Sequence, residues 1–199
     1  MKLFPESVKR IRWITRDEAE ILIAELPEHL ADMARFTLAT GLRQRNVSYL
    51  RWDQVDASRR VAWIHADQSK SRKAIAVPLN RDAVAVLEKR RGEHGEYVFT
   101  YKGKPVDRTS TKAWAAAKQR AGIADFRWHD LRHTWASWHV QSGTSLQQLQ
   151  ELGGWSTVDM VLRYAHLGAE HLLSAAERIE GTIEGTVRQK PALRLVVSH

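Results

Sequence analysis

Cysteine is absent from the 199 residues, which excludes disulfides, thiolate metal sites and a cysteine nucleophile together. Proline is scarce, with five in all, and long apolar runs are missing. The opening Met1-Lys2-Leu3-Phe4-Pro5-Glu6 lacks the apolar core of a signal peptide. No stretch approaches the roughly 20 apolar residues needed to span a bilayer. A soluble, cytoplasmic protein with no membrane partner is the expectation. Acidic residues are also in deficit, 23 against 31 Lys and Arg, for a net charge of +8. That balance points to a polyanion, of which nucleic acid is the commonest. On composition alone, a merely soluble basic surface explains it equally well. Hydrophobic residues reach 43%, enough for one domain with a real core or two small ones.

The elements present read as mainly α with a small antiparallel β-sheet. Thr15-Arg16-Asp17-Glu18 is a capping-box pattern, so a helix is expected from Thr15 to about Leu26. A second covers roughly Leu30 to Thr40 and stops at Gly41, a residue that tolerates the left-handed conformation of a helix end. A third is expected from Arg45 to Arg51. The period then changes: Val61 to Ile64 and Ala74 to Val77 read as strands flanking a polar turn with Ser69, Lys70, Ser71 and Arg72. A weaker strand starts near Val55. Asn80 caps a helix through about Arg91, and Tyr97-Val98-Phe99 is a brief extended run. Beyond Ser110 the pattern is helical near 110–121, 129–141, 145–152, 157–164 and 169–179. Gly122, Gly143 and the Gly153-Gly154 pair punctuate it.

Three segments carry more polar chemistry than a core needs. In Thr40-Gly41-Leu42-Arg43, an arginine follows a glycine helix stop. That rigid corner suits a guanidinium gripping phosphate oxygens with both prongs, although a solvated surface arginine is the simpler reading of the segment alone. In His129-Asp130-Leu131-Arg132-His133, the two histidines and Arg132 share one helix face. A zinc site is disfavoured there, since Asp130 replaces the usual glutamate, no third ligand is evident and Arg132 would oppose the metal. Phosphate suits the pair better, with Arg132 on oxygens, His129 moving a proton and His133 packing or capping the helix. In the third segment Trp155 follows two glycines and Tyr164 comes nine residues later, near the end of a short helix marked by Val158, Val161 and Leu162. Alone, such a tyrosine is far more often structural than catalytic. Tyr49 and Tyr97 read as packed and Tyr101 as exposed.

Taken together, the segments closely resemble the tyrosine recombinases, phage-type integrases in particular, over residues 13 to 178. Arg43 matches the family's first arginine, Lys70 the lysine on its β-hairpin, and His129 with Arg132 its His-x-x-Arg box. Trp155 falls where the family has histidine or tryptophan, and Tyr164 matches the nucleophile. The resemblance implies site-specific recombination of double-stranded DNA through a 3′-phosphotyrosine, within a homo-tetramer on DNA and as a possible monomer without it. It implies Arg43 and Arg132 on the non-bridging oxygens, Lys70 protonating the departing 5′ oxygen, and His129 as base or hydrogen-bond partner of Tyr164, with the arginines favouring phenolate. Trp155 would bind phosphate or brace the pocket. Lys112, Lys118, Arg120 and Arg127 are candidate phosphate contacts, a solvated face being the equal alternative for each. No P-loop and no carboxylate cluster suited to magnesium accompany these residues, so no cofactor and no metal are expected.

Two departures stand out. Asn46 occupies a place where the family commonly has an acid, which implies altered tuning of the site. The chain also begins almost directly with the catalytic part, expected at 1–180, so the family's N-terminal core-binding domain is expected to be absent. Residues 181–199 read as a tail, loose or docking in trans. Leu172, Leu173, Ala176 and Ile179 form an apolar stripe suited to a neighbouring subunit. The alternatives are type IB topoisomerase-like relaxation, or a DNA-binding fragment without catalysis.

Overall fold

The computed structural model describes residues 11–69, 73–168 and 175–177. Lys70, most of the apolar stripe and the tail lie outside them. Eight helices are described: α1 (Arg16–Ala24), α2 (Glu28–Thr40), α3 (Gln44–Ser48), α4 (Arg81–Arg90), α5 (Lys112–Arg120), α6 (Asp130–Gln141), α7 (Leu146–Gly153) and α8 (Asp159–Leu162). They frame an antiparallel sheet of order β1 (Val55–Asp56), β2 (Val61–Ile64) and β3 (Ile75–Pro78). A two-stranded hairpin joins β4 (Thr100–Tyr101) to β5 (Lys104–Pro105). The expected class, mainly α with a small antiparallel sheet, is the observed one.

Local chemistry sets most boundaries. The Thr15 side chain accepts from the Glu18 backbone while Glu18 reaches back, so two otherwise orphaned donors start α1. Ser145 and Gln148 start α7 in the same way, and the Asn80 side chain caps α4 by accepting from the Ala83 backbone. Register in the sheet runs Val61 to Pro78 and Ile64 to Ile75, which buries Ala62, Ile64 and Val77 and leaves Trp63 out.

Two elements differ from the sequence reading, the first because tertiary pairing overrode periodicity. The third helix stops at Ser48, well short of Arg51. The chain there turns extended so that Leu50 accepts from the Val98 backbone at 2.9 Å and Trp52 donates to Glu96 at 2.9 Å. Tyr97 accordingly pairs only through a bridge to Arg51, and the strand itself forms later, at Thr100. The helix expected near 157–164 is shorter as well. It ends at Leu162, leaving Tyr164 in the turn that leads to a 3₁₀ segment at Ala165–Gly168.

The core has two parts. The larger is built around α2, whose Leu30, Met33, Ala34 and Phe36 are buried. α2 packs on both α4 and α6. Buried Asp32 on α2 ties it to α4 by accepting from Lys89 at 3.0 Å and facing Arg90. The second cluster lies under α6, α7 and α8 and contains Trp135, Val140, Leu149, Val161 and Tyr164, with Trp155 packed against it. One end of α6 therefore carries the functional histidines and arginine, while its flank supplies the apolar floor beneath Tyr164.

Candidate active site

The site forms where the C-terminal end of α2, the N-terminal end of α6 and the end of α7 converge. α2 stops because Gly41 adopts φ of 66°, open to glycine and strained for other residues. A side chain there would also overlap the ring of Trp135 on α6. α2 and α6 thus approach closely at this point, and the carbonyl of Gly41 is left pointing at Arg132.

Arg132 is 5% exposed. One terminal nitrogen donates to the Gly41 carbonyl and the other to the Gly153 carbonyl at 2.5 Å. The guanidinium also lies over the Trp155 ring at 4.3 Å, a favourable stacking of cation on indole. Gly153 is matched to this arrangement, since a Cβ there would run into the Trp155 ring. Backbone and indole hold the guanidinium, and no carboxylate neutralises it among the described ion pairs. Burial first, then nearby Arg43, draw its pKa down to about 9. It remains charged at neutral pH, and an entering anion would relieve both penalties.

Arg43 occupies the position just before α3, at the corner after Gly41 and Leu42, and its side chain makes no capping hydrogen bond. It is half-buried, and desolvation lowers its pKa. No ion pair engages it among the described residues. With Arg45, Asn46, Tyr49 and Ser69 it lines a cavity of about 680 Å³. Asn46 is buried there, 7% exposed. Lys70 follows Ser69 in the chain and lies outside the described residues.

Tyr164 is only 1% exposed. Its ring packs 6.0 Å from that of Trp155. Its hydroxyl lies 2.6 Å from Nδ1 of His133. The hydrogen bond that the sequence reading gave to His129 is made by His133, to which packing or capping of the helix had been assigned. The reason is helical: His129 is the exposed residue before the first turn of α6, and Tyr164 rises alongside the next turn. The two histidine rings meet edge to face, 5.0 Å apart. The arginines favour phenolate as expected, yet burial decides the balance. Arg132 and Arg163 pull the phenol down, but burial outweighs them and pushes it up to about 12. Burial likewise takes His133 down to about 4, helped by His129, Arg163, Arg132 and Arg127. At neutral pH both partners are uncharged.

Of the six residues singled out in the sequence, the structure brings Arg43, His129, Arg132, Trp155 and Tyr164 to one place. It adds His133 and the carbonyls of Gly41 and Gly153. The doubled histidine on the arginine's helix face was the available signal for His133. Nothing local marks a carbonyl as a brace.

The fold and this cluster define a tyrosine recombinase catalytic domain. The chain belongs to the phage integrase family, whose profile matches residues 12–171. It is 49% identical over 191 residues to the integrase of Salmonella phage P22, covering 89% of this chain and 49% of that protein. It is 32% identical over 138 residues to a shufflon-specific DNA recombinase of Escherichia coli, covering 69% of this chain and 34% of that protein. The solved catalytic domain of bacteriophage HP1 integrase superposes with a TM-score of 0.65 at 26% identity, covering 86% of this chain and 96% of that one. The chain thus spans about half, or less, of the length of the two full-length relatives.

The histidines make one prediction about pH. The unfolded chain takes up protons near 6.5, whereas folded His133 resists until about 4, and His129 and His139 shift the same way. More protons bind to the unfolded state in that window, so stability falls as pH drops from 6.5 toward 4. Thermal unfolding followed across that range should show the decline, and His133→Asn should flatten it. A wild-type midpoint that does not move would contradict the assignment.

Proposed function

We propose that this chain breaks and rejoins double-stranded DNA through Tyr164, as the catalytic part of a site-specific recombinase. The observation that carries the reading is the pair of guanidiniums, Arg43 and Arg132, with no carboxylate on either among the described ion pairs, beside a sequestered phenol. A phosphodiester repels an incoming nucleophile, and charge builds on its non-bridging oxygens during attack. Fixed cationic donors aimed at that position lower the barrier without reorganising. Arg43 and Arg132 take this role, with Trp155 setting the plane of Arg132 and offering its indole N–H. His129, exposed at the mouth, donates to the phosphate. Lys70, assigned from sequence alone, protonates the leaving 5′ oxygen. The 3′-phosphotyrosine conserves the energy of the broken bond, so rejoining requires no nucleotide. Assembly as a homo-tetramer on DNA, with strand exchange between two sites, belongs to the same proposal.

The test is covalent capture. A pool of randomised duplexes, each carrying a nick that lets the cleaved end diffuse away, should yield a DNA adduct with the unaltered chain. Tyr164→Phe should bind the captured sequences and form none. If the unaltered chain binds DNA and traps no adduct, a non-catalytic DNA-binding role replaces the proposal.

A further inference from the structure

We infer that His133 is a catalytic residue that orients the Tyr164 phenol and accepts its proton during attack, an assignment resting on the cleavage reading above. The phenol is 1% exposed, so water is not at hand to take the proton. At 2.6 Å, Nδ1 of His133 is the hydrogen-bond partner of that hydroxyl among the described residues. His129 makes no hydrogen bond to Tyr164 there, and its place at the open start of α6 suits the phosphate instead.

The polarity of the bond follows from what each group can do. A phenol has one proton and must place it on an acceptor when buried. A neutral imidazole has one acceptor nitrogen. Were Nδ1 protonated, it would donate to the phenol oxygen and the phenol proton would be stranded in an apolar cluster. The tautomer with the proton on Nε2 leaves Nδ1 open, and Tyr164 donates to it. Trp155 and Val161 pack around this pair in the second core cluster, so the phenol has little freedom to turn elsewhere.

Atoms balance as follows. The Tyr164 oxygen forms its bond to phosphorus while the bond from phosphorus to the 5′ oxygen breaks. The phenol proton passes to Nδ1, and the departing oxygen takes a different proton, assigned above to Lys70. In rejoining, the imidazolium returns its proton to Tyr164 as that bond to phosphorus breaks. Transfer has to accompany attack, because burial disfavours both phenolate and imidazolium beforehand, and His129, Arg163, Arg132 and Arg127 weigh further against the imidazolium. The phosphate supplies the negative charge that makes the imidazolium acceptable.

Single-turnover cleavage of a captured nicked duplex tests this, with His133→Ala and His133→Asn in the full chain. Asparagine keeps a hydrogen-bonding amide in place of the ring and guards against simple misfolding. Both variants should bind DNA normally and cleave about a hundredfold more slowly, within the usual contribution of a general base. Replacing Tyr164 by a trifluorinated tyrosine, whose phenol ionises far more readily, should recover at least about tenfold in the variants and little in the unaltered chain. A substrate with sulfur at the 5′ bridging position, whose leaving group needs no proton, should recover neither variant. Cleavage at the unaltered rate in either variant overturns the assignment, as does a loss that fluorination leaves untouched. An unaltered chain that forms no adduct overturns the cleavage reading itself, and the assignment falls with it.

Discussion

Replacing Arg132 by alanine is expected to slow covalent attachment to DNA by at least about a hundredfold, the scale on which a preorganised oxyanion donor acts. DNA binding should persist, because it rests on many separate phosphate contacts. The argument lies in how the guanidinium is held. Its two terminal nitrogens reach carbonyls from different elements, Gly41 after α2 and Gly153 at the end of α7, and its plane rests on Trp155. Desolvating the cation has already been paid for in folding, so charge that develops on the phosphate meets a donor needing no rearrangement. Arg132→Lys should be nearly as slow as alanine. A single ammonium cannot bridge both carbonyls and still present a flat fork to phosphate. Single-turnover cleavage beside equilibrium DNA binding decides the matter. A lysine variant within tenfold of the unaltered rate would show that charge alone suffices.

The second large effect concerns stability. Gly41→Ala should lower unfolding free energy by about 2–5 kcal/mol, combining roughly 1–2 for a left-handed alanine with roughly 1–3 for overpacking. Against a total of about 5–15 kcal/mol for a domain, that is severe. The first part comes from φ of 66°, the second from overlap with the Trp135 ring. Gly92 separates the two, since its φ of 88° is equally left-handed and an added Cβ would meet nothing. Gly92→Ala should therefore cost only the backbone part. Urea denaturation of both variants gives the comparison. Equal losses would mean that Trp135 moves aside freely, and that the close approach of α2 to α6 is not what holds the Gly41 carbonyl. Cleavage should also fall in Gly41→Ala, because that carbonyl braces Arg132.

Much of this was readable in the chain without coordinates. The capping box at Thr15, the glycine stop at Gly41, the Asn80 cap and the paired strands all depend on neighbours a few residues away, and each appears within two residues of the expected place. Arg43, His129, Arg132, Trp155 and Tyr164 were marked by the resemblance of their segments, in order and spacing, to the tyrosine recombinases. Where the reading erred, the deciding partner was distant in sequence. The third helix lost its last turn to Val98 and Glu96, and Tyr164 found His133 in place of His129.

Local pattern by itself determined that this chain is mainly helical, cysteine-free and basic, and its resemblance to the tyrosine recombinases brought forward the residues of its chemistry. Hydrophobic period, caps and glycine stops act over one or two turns, so they survive without knowledge of the rest. Only the tertiary structure decided that Tyr164 is buried with its hydroxyl against Nδ1 of His133, and that two glycine carbonyls and an indole hold Arg132. Protonation and preorganisation depend on desolvation and on contacts across tens of residues, and such quantities exist only once the chain has closed on itself.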